Sequence, residues 1–212
     1  MPYDLELATI FGSGGTVLFW PAAYGPPPGS GYQLVNSYFV PMGMNSKGWA
    51  IGYDKINGAE VWTGTRADAT PLAPMSKPVA IDNIGDVVGT DDSGNGDLWT
   101  SGSGTTPISK VLPAQYQGAV SNITPIDVSG TNANGPIRIL FNAYYQTDSN
   151  NDWAWGNLLL TLVSGSSTLQ QVFMPPKITH WTFDALNAQG VISGLVASGD
   201  LKGWAGTDEP MG

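Results

Sequence analysis

NSKGWAIGYDKINGAEVWTG, residues 45–64, returns 37 positions later as DNIGDVVGTDDSGNGDLWTSG, residues 82–102. Gly48 and Gly85, Gly52 and Gly89, and Trp62 and Trp99 all share that offset, with no gap between them. Three coincidences in one register mark an internal repeat, and a period in this range is the signature of repeat architectures. After each Trp a polar turn leads into an apolar stretch that ends in proline, ATPLAP at 69–74 and TTPISKVLP at 105–113.

Working outward, LNAQGVISGLVASGDLKGWAG (186–206) repeats the order Asn, turn Gly, apolar pair, Gly, polar loop, Trp. A degenerate copy fills 125–175, with Asp127 in the place of Asp82 and a longer middle that implies an inserted loop. The N-terminal GTVLFWPAAYG (15–25) matches only the Trp half of a unit. With Trp20, Trp62, Trp99, Trp155 and Trp204 as markers, the steps of 42, 37, 56 and 49 suit one four-stranded propeller blade each.

Inside a unit, Asn or Asp followed three residues later by Gly makes a tight turn, because Gly accepts positive φ. WAIG, DVVG and VISG then read as short strands. Proline at the end of the last strand fits an outer edge. Sheets this thin cannot bury two faces alone, so stacked neighbours must supply the core. The fold expected is all-β, a small β-propeller of about five four-stranded blades in a single domain. The approximate units are 11–42, 43–78, 79–120, 121–176 and 177–212, the last closed by the N-terminal strand YDLELATI (3–10). An open solenoid is the rival arrangement.

Composition agrees. Twenty-eight glycines and sixteen prolines disfavour long helices. Eight scattered basic residues against a net charge of −9 give no phosphate-tracking surface, so neither nucleic acid nor an anionic membrane is an expected partner. No stretch is apolar enough to cross a bilayer, and MPYDLELATIF does not read as a signal peptide. Without cysteine there is no disulfide, thiolate metal site or thiol nucleophile.

The repeat residues resemble the HAF-type extracellular repeat, whose members carry Ile-Asn-Asn-x-Gly-x-Val-Val-Gly, a loop, then Ala-x-Leu-Trp and a Gly turn. AIDNIGDVVGTDDSGNGDLWTSG (80–102) matches best, 43–64 and 185–206 more loosely, and 125–175 in part. That resemblance implies tandem β-repeats in an extracellular or cell-surface setting and no established chemistry. The unit number is similar to that of tachylectin-2-type five-bladed lectin propellers, on architecture alone.

Catalytic equipment is sparse. His180 is the only histidine, no Gly-x-Ser-x-Gly elbow occurs, and GSGG (12–15) lacks the ending of a phosphate loop. No catalytic residue, metal ligand or cofactor is assigned. Asp91–Asp97 and Asp148–Asp152 alternate oxygen side chains as calcium loops do, but such strings are also ordinary hairpin turns.

Trp62, Trp99 and Trp204 recur in the repeat and read as packing between units. Trp49, Tyr144, Tyr145, Trp153 and Trp181 do not recur, and polar residues surround them. They are the candidate ligand-binding residues, since an aromatic face stacks on a sugar ring while amides read its hydroxyls. The functional expectation is a non-enzymatic, lectin-like binding protein whose partner is a glycan or small molecule. The alternatives are a protein-interaction or structural surface module, with self-association of copies, and a glycoside hydrolase built on an Asp pair.

Overall fold

Residues 17–18, 33–34, 39–54, 56–63, 69–130, 132, 135–147, 152–164, 166–172, 181–187, 189–196, 204–206 and 209–210 are described by the structure, a computed structural model. They form an all-β protein of successive antiparallel sheets. β1 (Val17–Leu18) pairs with β2 (Gln33–Leu34). The first four-stranded sheet is β3 (Phe39–Met44), β4 (Ala50–Asp54), β5 (Gly58–Trp62) and β6 (Ala69–Pro71). The second is β7 (Lys77–Ile81), β8 (Val87–Thr90), β9 (Gly96–Thr100) and β10 (Gly104–Pro107). The third, long-stranded sheet is β11 (Val120–Gly130), β12 (Ile137–Gln146), β13 (Trp153–Val163) and β14 (Ser166–Val172). The fourth is β15 (Trp181–Leu186), β16 (Ile192–Val196) and β17 (Trp204–Gly206). A further strand, β18 (Glu209–Pro210), joins the outer edge of β14. Within each of these sheets the strands follow one another in chain order, as meanders do. The helical residues described are a turn at Ile108–Val111 and a shorter one at Ala114–Tyr116, between the second and third sheets.

Alternating side chains decide how the sheets stack. In β8, Val87 points to the first sheet and joins Ile51, Ala59 and Val61, with Leu72 and Met75 from the connecting segment. Its neighbour Val88 points the other way and, with Leu98, joins Ile139, Phe141 and Leu160 of the third sheet. The third sheet behaves likewise, since Leu140 and Leu159 turn from that core to meet Leu186 and Ile192 of the fourth. One sheet therefore contributes to two dry interiors, as the period-2 geometry of a strand requires. Separated from its neighbours it would expose both, at about 1.5–3 kcal/mol per large apolar side chain. Successive sheets meet chiefly through their first strands: β7 packs on β3 and β4, β11 on β7 and β8, and β15 on β11.

The turns between first and second strands stack as well. Asn45 takes the amides of Lys47 and Trp49 on its side-chain oxygen, Asp82 those of Ile84, Gly85 and Asp86, and Asn187 those of Gln189 and Val191. The Asn45 side-chain amide then donates to the carbonyl of Asp82 at 2.8 Å, tying one turn to the next. Gly85 sits at φ 101°, and a Cβ there would lie 2.5 Å from the Trp49 ring. Gly130, in the third sheet, leaves room for Ile84 and the Asp82 carboxylate, both 2.6 Å from where its Cβ would be.

Several expectations need correction. Sequence lengthens the 125–175 copy by an inserted loop, whereas the structure lengthens its strands: β12 has 10 residues and β13 has 11. Trp204 does not share the register of Trp62 and Trp99. Those two lie opposite Ala50 and Val87, but Trp204 lies opposite Gly194, the place that Glu60 and Asp97 hold against Gly52 and Gly89. Trp155 also leaves the marker series, because it pairs with Tyr144 at the far end of its strand. The first strands of the first two four-stranded sheets begin ahead of the unit boundaries at 43 and 79. The N-terminal strand expected at 3–10 lies outside the described residues, and the described tail, Glu209–Pro210, pairs with β14.

Candidate functional site

The hairpin of β12 and β13 brings two of the candidate aromatics together. Direct pairing places Tyr144 opposite Trp155 and Gln146 opposite Trp153, so Tyr144, Trp153 and Trp155 share one face. Tyr144 stacks on Trp153 with centroids 5.2 Å apart and planes 20° from parallel. Trp155 lies 5.5 Å from Tyr144 with its ring tilted 44° and is 60% exposed. One rung further along the same face come Asn142 and Asn157, a directly opposed pair about 7 Å from the rings by strand geometry. Beyond them the face closes over Leu140 and Leu159. The hairpin thus carries rings at its tip, amides next, and a dry contact with the fourth sheet below.

The other candidates separate. Tyr145 points to the opposite face, where it is 4% exposed within the core shared with the second sheet. Its hydroxyl accepts a hydrogen bond from the Gln171 side chain, and burial raises its pKa above the ordinary tyrosine value. Adjacent residues of a strand cannot share a face, so Tyr144 and Tyr145 could not both belong to one surface. Trp49 is at the joint of the first two four-stranded sheets, against Gly85, with the Lys47 ammonium 4.9 Å over its ring. That ring is committed to packing. Trp181 opens β15 opposite Val196, and its side chain lies outside the described part, as does His180. Trp155 was missed as a surface residue because its spacing imitates the repeat.

Acidic loops turn out to serve their own hairpins. Asp91 accepts from the amides of Ser93 and Asn95 on one oxygen and from the Asn95 side chain on the other. These bonds hold its pKa below the ordinary aspartate value. Asp54 accepts from Ile56 and Asn57 in the matching hairpin, 37 positions earlier. Glu60 and Asp97 also match. Each is buried opposite a glycine, and each has its pKa raised first by burial and then by the nearby Asp54 or Asp91. Recurrence in two sheets marks these acid pairs as parts of hairpin construction. Of the Asp148–Asp152 string only Asp152 is described.

A different acidic group crosses the joint between sheets. Asp82, Asp86 and Asp127 are each raised in pKa by burial, and the Asp82 charge adds to the effect on the other two. Asp127 is stabilised by the amides of Val128 and Leu186, the latter reaching from the fourth sheet at 2.6 Å. Asp86 has no such support for its Oδ2 atom, which is buried without a partner, and its pKa is pushed up to about 7. In the repeat, Asp86 occupies the position of Trp49 and Val191. That exchange of a large apolar residue for an acid was legible in the alignment.

No protein-family model matches the sequence, and no curated protein matches it either. Among the described residues, no three acidic or histidine side chains converge as a metal site, and no helix is long and apolar enough to cross a membrane.

Proposed function

We propose that the chain is a lectin-like carbohydrate-binding module of an extracellular surface, built as a small β-propeller of about five units. The observation that carries the binding reading is the Tyr144–Trp153–Trp155 cluster near a hairpin tip, with Trp155 exposed, its two neighbours half-buried, and Asn142 and Asn157 on the next rung. A pyranose presents an apolar face to a ring and hydroxyls at its edge, and this surface offers both complements. The strands beneath are rigidly paired over ten rungs, so the rings are held in place before any ligand arrives. Support for the propeller comes from the serial packing of one sheet on the next, chiefly through their first strands.

A broad glycan array, followed by NMR titration of the hits, tests the binding reading. Shifts should centre on residues 142–146 and 153–157. Trp155→Ala should weaken binding about two- to twelvefold, the value of one stacked ring at about 0.5–1.5 kcal/mol. A folded protein that binds no glycan on the array ends the proposal.

A further inference from the structure

Sheets two and three enclose a cleft of about 530 Å³ next to Asp86. Leu98, Val111, Ile137 and Leu162 supply its apolar walls. Thr100 and the exposed turn Ser101–Ser103 supply a hydroxyl-bearing rim. Asp86 is 6% exposed, and its Oδ2 has no hydrogen-bond partner. A buried carboxylate without a partner is costly and is retained when something else neutralises it.

The repeat shows what this position does elsewhere. Trp49, one unit earlier, lays its ring over Gly85 at the joint between the first two four-stranded sheets. Asp86 points the corresponding way, towards the third sheet, because it lies on the same side of its strand as Val88. At the joint with the third sheet a short acid stands where the preceding unit has a ring and the last a valine. That change opens space and places a charge at its inner end.

From these features we propose that the cleft binds an organic cation, a primary ammonium group on an apolar body, with Asp86 as its counter-ion. The ammonium has three donors, enough for the carboxylate and for hydroxyls such as that of Thr100, while the body lies on Leu98, Ile137 and Leu162. A bare metal ion fits less well, since no three acidic or histidine side chains among the described residues converge as a metal site. The net charge of −9 favours the approach of any cation. This site is independent of the glycan reading: Ile137 and Leu162 face the second sheet, whereas Tyr144 and Trp155 are on the opposite face of the third.

The experiment is an NMR titration of the full chain with n-hexylammonium, with n-hexanol as the neutral control of similar shape. Amide shifts should centre on Asp86, Leu98, Ile137 and Leu162, and the ammonium should bind at least tenfold more tightly than the alcohol. Asp86→Asn, which keeps the size, should remove that tenfold preference. Asp86→Trp, which restores the residue of the preceding unit, should block both probes. If the tryptophan variant does not fold, the asparagine variant still decides the matter. Equal affinity for the two probes, unchanged ammonium binding by Asp86→Asn, or calcium competing at equimolar concentration would each overturn the proposal.

Discussion

Replacing Asp86 by Asn should stabilise the protein relative to the parent, and by about 2–3 kcal/mol more at pH 8 than at pH 5. The folded chain holds the Asp86 proton more tightly than the unfolded chain, with a pKa of about 7 against an ordinary 3.8. Burial is the main cause and the Asp82 charge the second. A raised carboxyl favours the folded state fully below the unfolded value, and that contribution fades as pH climbs through the folded one. Between pH 5 and pH 8 about two of the three units that separate these values are crossed, at most about 3 kcal/mol at about 1.4 kcal/mol per unit. Water in the adjoining cleft screens part of it, which leaves about 2 kcal/mol. Asn cannot ionise, so the variant escapes the loss, and any cost of its buried amide is common to both pH values. Asp82 in the same turn and Asp127 on β11 also carry raised pKa values, so the parent should lose stability through them as well as pH rises. Arg138 on β12 is engaged in an interaction of its own. The quantity to measure is therefore the difference between variant and parent in urea unfolding at each pH. A difference that stays the same from pH 5 to pH 8 would refute the account of Asp86 as a charge forced into the joint.

Gly85→Ala should cost about 2–5 kcal/mol in urea unfolding, from a strained positive φ and from overlap with the Trp49 ring. A loss under 1 kcal/mol would mean that the turns do not stack as described. Phe141→Ala should cost about 3–5 kcal/mol and speed amide exchange in β8 of the second sheet as well as in the third. Faster exchange confined to the third sheet would show that the sheets are stable separately. Small-angle scattering should give the compact profile of a ring; an elongated monomer would favour the open solenoid.

What sequence could reveal depended on whether a residue's role was local or set by its partner. The turns at Asn45, Asp82 and Asn187 were legible because side chain, glycine and strand start all lie within a few residues. The edge strands do end in proline, but at Pro71 and Pro107, ahead of Pro74 and Pro113 where the apolar stretches of sequence end. Register was harder. Trp204 follows a glycine-flanked run as Trp62 and Trp99 do, yet pairing shifts it two places, because loop length between strands is invisible to motif spacing. The aromatic site was half legible. Sequence singles out Tyr144, Tyr145 and Trp153, but the split of Tyr144 from Tyr145, and the arrival of Trp155, follow only from the pairing of β12 with β13. Asp86 was readable as a departure from the repeat, and its consequence emerged only with the cleft beside it.

A repeat fixes what each unit must keep, so its exceptions carry information. The positions kept across sheets are those that make turns and joints: the side-chain acceptor at 45, 82 and 187, the glycine three residues on, and the alternating apolar residues behind them. Besides the shifted Trp204, two exceptions stand out. One is the long third sheet, whose far end carries three clustered rings on one face and Tyr145 in the core on the other. The other is the joint where an acid stands in the position of Trp49. Neither exception stabilises the stack, since one exposes a tryptophan and the other buries a charge. Features that cost stability in an otherwise regular array are where selection for binding leaves its mark. The two features lie on opposite faces of the third sheet, the rings on the face that meets the fourth sheet and the cleft on the face that meets the second.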